Sequence, residues 1–136
     1  MKRATVSALL IPLLCLSVAG CAPILIGAAV GGVAMYAVGR DTIQGDTEMG
    51  YESLWDSGMQ VAKIRGTVLQ EDSNRGYIET DVQGGRLRIH FLRVTPAVTK
   101  VRVSARTKLK MPDLALAEQV FTKIIEGSRE IQPVDY

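Results

Sequence analysis

The sequence predicts an α+β fold: an antiparallel meander sheet of four to five strands, with two helices packed on one of its faces. Two observations carry this. Between Tyr77 and Leu109, apolar and charged residues alternate at period two, as strands do when only one face is covered. On both sides of that stretch, apolar residues recur instead at helical spacing.

Each element has its own signals. Residues 42–48 alternate loosely and form the first expected strand, weakened by Gly45. Residues 51–64 form the first expected helix, because Tyr51, Leu54, Trp55, Gly58, Val61 and Ala62 follow the i, i+3, i+4, i+7 pattern. Gly50 is an acceptable cap, Glu52 suits the positive end of the helix dipole, and Gly66 stops the helix. Gly58 on the apolar face predicts a close approach of this helix to the sheet.

Four strands follow. The first covers 67–71 and is closed by the turn residues Asp72-Ser73-Asn74-Arg75-Gly76. Residues 77–82 alternate cleanly, and Gln83-Gly84-Gly85 supplies positive-φ residues for a tight hairpin. Residues 86–94 point Leu87, Ile89 and Phe91 one way and Arg86, Arg88 and His90 the other. After Pro96, residues 100–109 repeat the pattern, with Val101, Val103 and Ala105 inward and Lys100, Arg102, Arg106 and Lys108 outward. The second helix begins around Pro112-Asp113, carries Leu114, Ala117, Phe121, Ile124 and Ile125 on its stripe, and ends at Gly127.

The N-terminus has a different character. Lys2 and Arg3 precede an apolar run through Leu16, and small residues follow, which is the layout of a secretory signal peptide. Val18-Ala19-Gly20-Cys21 resembles a bacterial lipobox. That resemblance implies cleavage between Gly20 and Cys21 and a diacylglyceryl group on the Cys21 sulfur. A plain signal peptide cut near Ala19 would use the same small residues. An uncleaved anchor is disfavoured, because Pro12 interrupts a run already short of the ~20 residues a span needs.

Cysteine content agrees with lipidation. Of the two cysteines, Cys15 leaves with the signal, so the exported chain keeps no pair for a disulfide. Loss of Lys2 and Arg3 also leaves 14 basic and 14 acidic residues. The processed chain is formally neutral, and net charge gives no support for a nucleic-acid partner.

Residues 24–38 form a second apolar segment, too short to cross a core of about 30 Å as a helix. Gly27 and Gly31 stand four apart, a spacing that lets membrane helices approach closely. The segment is read either as a small-residue tether or as a helix lying against the bilayer that self-associates through that face. The expected organisation is therefore a signal peptide over 1–20, a lipidated cysteine and apolar tether over 21–41, a globular domain over 42–128 and a tail over 129–136.

The lipobox, the Gly/Ala-rich stretch and the Trp-containing helix at Tyr51-Glu52-Ser53-Leu54-Trp55-Asp56 together resemble the small bacterial lipoproteins of the DUF3568 family. Arg75-Gly76-Tyr77-Ile78-Glu79 and Thr99-Lys100-Val101-Arg102-Val103 are similar too. The resemblance implies an exported lipoprotein with a small α+β domain, and it transfers no catalytic residues. Gly50 departs from the usual Ser-like cap, and the tail after Gly127 is longer than the pattern suggests. Ala22, standing where Asp would signal inner-membrane retention, implies the periplasmic face of the outer membrane.

Candidate chemistry is sparse. His90 is the sole histidine, and without other converging ligands it predicts no metal site and no cofactor. The serines lie in no G-x-S-x-G turn. Glu79 and Asp81 share a strand face, but hairpin geometry sets them opposite Arg86 and Arg88, where ion pairs are the simpler account.

What remains is a basic sheet face: Arg86, Arg88, Arg102, Arg106 and Lys108. It reads either as a solvated face balanced by neighbouring carboxylates or as a dock for anionic lipid, a polyanionic envelope polymer or an envelope protein. The expected function is that of a lipid-anchored, non-enzymatic binding or scaffold domain in the periplasm. An envelope hydrolase, or an accessory subunit of an envelope enzyme, is the alternative. Oligomeric state is left open.

Overall fold

The computed structural model describes residues 29–30 and 33–131. In chain order these form β1 (Ala29–Val30), β2 (Val33–Ala37), β3 (Thr42–Thr47), α1 (Tyr51–Arg65), β4 (Thr67–Asp72), β5 (Tyr77–Val82), β6 (Gly85–Arg93), β7 (Thr99–Arg106) and α2 (Leu114–Ile131). All strands pair antiparallel in one seven-stranded sheet ordered β1-β2-β3-β7-β6-β5-β4, with β1 supplying only two residues. The fold is α+β, with both helices on one sheet face.

The topology follows from where the helices carry the chain. The β2–β3 hairpin occupies one side of the sheet, and α1 crosses to the opposite edge, where β4 begins. A meander β4-β5-β6-β7 then returns to the centre, so that β7 closes against β3. α1 covers β5 and β6, while α2 covers β7 and β3.

Alternation decides which side chains enter the core. Ile78 and Thr80 from β5, Leu87, Ile89 and Phe91 from β6, and Val101, Val103 and Ala105 from β7 point toward the helices and are buried. Leu54 and Ala62 from α1 and Ala117, Val120, Phe121, Ile124 and Ile125 from α2 meet them. Phe91 lies beneath α1, with the Tyr51 and Trp55 rings edge-on to it at 6.4 and 6.2 Å. Such edge contacts suit the ring quadrupoles. A β-carbon on Gly58 would lie 2.5 Å from the Phe91 ring, which gives this glycine the close-approach role expected of it. The β5–β6 turn has the expected form as well, with Gln83 at φ 53° and Gly84 at φ 82°.

Three expectations need correction. The sheet exceeds four to five strands because Val33–Ala37, placed in the tether by sequence, is β2. It pairs with β3, and Val33 and Met35 are buried in the core. Residues 29–30 and 33–37 are accordingly strand rather than membrane-lying helix. Second, Gly127 does not end α2, which continues to Ile131 into the expected tail. Its role is close helix packing: a β-carbon there would lie 2.6 Å from Ser57 Oγ. The buried Ser57 hydroxyl donates at 2.7 Å to the Ile124 carbonyl and ties the helices together. Third, Pro112 lies outside α2 and bridges back to Arg106. Asp113 is the cap, accepting the Leu116 N–H at 3.1 Å.

Cys21, the Gly20–Cys21 cleavage position and the Gly27/Gly31 face lie outside the described residues.

Candidate basic docking face

The sheet face away from the helices carries the polar half of β5, β6 and β7. Cross-strand register sets Arg86 beside Arg106, Arg88 beside Ser104 and His90 beside Arg102. On the other side of β6, Glu79 stands opposite Arg88 and Asp81 opposite Arg86. The ion pairs expected there form, but through Glu79 alone. Its carboxylate accepts from Arg86 at 2.8 Å and lies 4.0 Å from Arg88. Asp81 instead accepts the Gly84 N–H at 3.0 Å and braces the hairpin turn.

Four of the five expected residues converge. Arg86, Arg88, Arg106 and Lys108 line one groove of about 360 Å³, together with Lys110 and Glu79. Lys108 reaches it from a turn rather than from the strand, because β7 ends at Arg106. The Thr107 amide then donates to the Met111 carbonyl, and Lys110 takes φ 60° in the tight return. Gly84 packs against this turn, since a β-carbon there would lie 3.2 Å from the Lys108 side chain.

Arg102 is not part of the groove. Its Nε donates to Gln44 Oε1 at 3.1 Å, and the Gln44 amide donates to the Tyr36 hydroxyl at 2.6 Å. Arg102 thus sits mid-row in a polar line, Tyr36-Gln44-Arg102-His90-Tyr77, crossing five neighbouring strands.

Charge in the groove is only partly compensated. Arg106 donates to Asp41 at 2.7 Å, and this guanidinium, with the Thr42 hydroxyl, holds the Asp41 carboxyl below its ordinary value. The Tyr77 hydroxyl, donating at 2.6 Å, is the main cause that lowers the Glu79 pKa. Burial opposes it, and Arg88 and Arg86 add to the lowering. Lys108 and Lys110 make no ion pair among the described residues. Arg86, Arg88, Arg106, Lys108 and Lys110 therefore face Glu79, Asp41 and Asp81, an excess of positive charge fixed on a rigid sheet.

Sequence reasoning missed Lys110 and Asp41. The alternation Lys108-Leu109-Lys110-Met111 was a signal for the first, since it continues the basic pattern to the turn. Asp41 meets Arg106 across 65 residues of sequence, and no local pattern marks it.

His90 is half-buried, with its ring edge-on to Tyr77 at a centroid distance of 4.9 Å. Burial first, then the Arg102 charge, lowers its pKa and so favours the neutral ring. No group of three or more His, Cys, Asp or Glu among the described residues is arranged to hold a metal. No helix among them is long and apolar enough to cross a membrane. No family model matches the chain, and no curated protein aligns with it.

Proposed function

We propose that this chain is a lipid-anchored lipoprotein of the cell envelope, of the DUF3568 type, whose globular domain binds or scaffolds an anionic envelope component without catalysing a reaction. The lipobox-like Val18-Ala19-Gly20-Cys21 supports the anchor, and Ala22 after it supports the periplasmic face of the outer membrane. One observation supports the binding role: cations from β6, β7 and the following turn gather around a groove whose carboxylates are fewer. Fixed cations on a sheet cost little reorganisation when an anion arrives, and they attract it over roughly a Debye length of about 8 Å at physiological salt.

Envelope cross-linking in cells tests the binding role. Replacing Arg88, Lys108 and Lys110 with Gln removes charge from the groove while leaving the Arg106–Asp41 pair intact. All three are exposed, and surface changes of this kind shift stability by about 0.5 kcal/mol or less each. The cross-linked product should fall sharply in the triple variant and weaken as salt rises. Equal capture by both proteins, indifferent to salt, would place the contact elsewhere.

A further inference from the structure

One end of the domain gathers features that charge alone did not predict. The β2–β3 turn (residues 38–41), the Gln83–Gly84 turn and the residues 107–111 turn abut there. The Ala105 amide donates to the Asp41 carbonyl, and Gly84 packs on Lys108. α1 finishes at the same end, where Gly66 lies against the Asp81 carbonyl. The apolar side chains here are unusually open: Leu109 is 79 % exposed, Ile64 77 %, Met111 58 % and Val38 43 %. Interleaved with them are Arg40, Lys108 and Lys110, and the basic groove opens beside them. At the opposite end, the β3–α1 connection and the β4–β5 turn present Glu48, Glu52, Glu71 and Asp72 against Arg75 and Arg93, and the most exposed large apolar side chain is Val94 at 54 %.

We propose that this turn end docks on an anionic phospholipid surface, with Leu109 and Met111 entering the head-group layer and the Arg86/Arg88/Lys108/Lys110 groove receiving a lipid phosphate. Lipid-exposed apolar tips flanked by cations are the combination that holds peripheral proteins at an interface. The reading deepens the lipoprotein proposal and depends on it for the anchor. Chain length permits the geometry. Cys21 lies eight residues before Ala29, a reach of about 28 Å at full extension. Ala29 pairs with Ala34, and from there β2 climbs only about 14 Å to Val38 at the turn end. A tether of that length reaches either end of the domain; charge and exposed apolar surface select this one.

Full chain reconstituted into vesicles of bromine-labelled phosphatidylglycerol and phosphatidylcholine provides the test. A Leu109→Trp variant reports the turn end, a Ser73→Trp variant the opposite end, and wild type gives the Trp55 background. The expected result is loss of the added emission in the Leu109→Trp variant alone. The loss disappears in vesicles of phosphatidylcholine only and after Lys108→Glu/Lys110→Glu reversal, with unchanged circular dichroism. Quenching in the Ser73→Trp variant, quenching in neither, or quenching indifferent to lipid charge overturns the proposal. Absent quenching with an envelope-protein cross-link retained assigns the face to a protein partner. Acyl labelling at Cys21, measured separately, distinguishes the anchor from the dock: an unlabelled chain whose turn end is still quenched removes the anchor alone.

Discussion

Thr80 is the place where a single atom change should make this protein more stable. It lies on β5, faces the helices and is fully buried, and its hydroxyl has no hydrogen-bond partner among the described residues. A buried hydroxyl left unpaired costs about 1–3 kcal/mol of lost hydration. Thr80→Val replaces that oxygen with a methyl group of nearly the same shape, in a site bounded by Val68 and Leu87 through strand register. It removes the penalty and adds apolar burial, so stability should rise by about 1–2 kcal/mol. For a domain of this size, each 1 kcal/mol moves Tm by about 4–8 °C. Thr80→Ser separates the two contributions, because it keeps the unpaired oxygen and deletes the methyl. It should fall below wild type by about 1 kcal/mol. Urea unfolding followed by circular dichroism, with m unchanged across the series, reads both values. A Thr80→Val protein less stable than wild type would mean that the hydroxyl has a partner, and the reasoning from its isolation would fail.

Three further outcomes follow from the geometry. Gly127→Ala should destabilise the domain by about 1–3 kcal/mol, because the new methyl meets the Ser57 hydroxyl. Adding Ser57→Ala, which makes room, should recover part of that loss in a double-mutant cycle of urea midpoints, whereas strictly additive losses would contradict the packing described. His90 has a folded-state pKa below its ordinary value. The unfolded chain therefore takes up its proton first, so the stabilising contribution is present above about pH 6.5 and declines as pH falls below it. Wild type should lose more stability than His90→Gln between neutral pH and pH 5 in thermal scans. Glu79 is shifted the same way. The stability difference between wild type and Glu79→Gln should thus persist at neutral pH and vanish as pH falls below about 4.

Legibility in the sequence followed the contrast between faces. From β5 to β7 the inward residues are mostly apolar, Thr80 and Thr99 apart, and nearly every outward one is charged or polar, so strands, register and facing could be read directly. β2 has no such contrast. Ala34 lies outward yet is as apolar as the buried Val33 and Met35, so the strand merges with the apolar segment before it. Gly127 carried the ordinary signal of a helix end, but the demand on it comes from Ser57 on another helix, which no local pattern encodes. The same limit applied at the basic sheet face. Alternation identified Arg86, Arg88 and Arg106 as outward and hairpin geometry gave Glu79 to the first two, whereas Asp41, which neutralises Arg106, arrives from 65 residues away. Lys108 looked like a strand residue because its spacing continued the alternation past the point where the chain turns.

The proposed anchor requires Cys21 to hold the domain at a membrane through fatty acyl chains. Metabolic labelling with an alkyne-bearing palmitate in a bacterial host tests this most directly, using wild type beside Cys21→Ser. Wild type should take up the label, and the mass of the labelled chain should begin at Cys21, while Cys21→Ser takes up none. A Cys21→Ser protein labelled as strongly as wild type, or a wild-type protein that is never labelled, would contradict it.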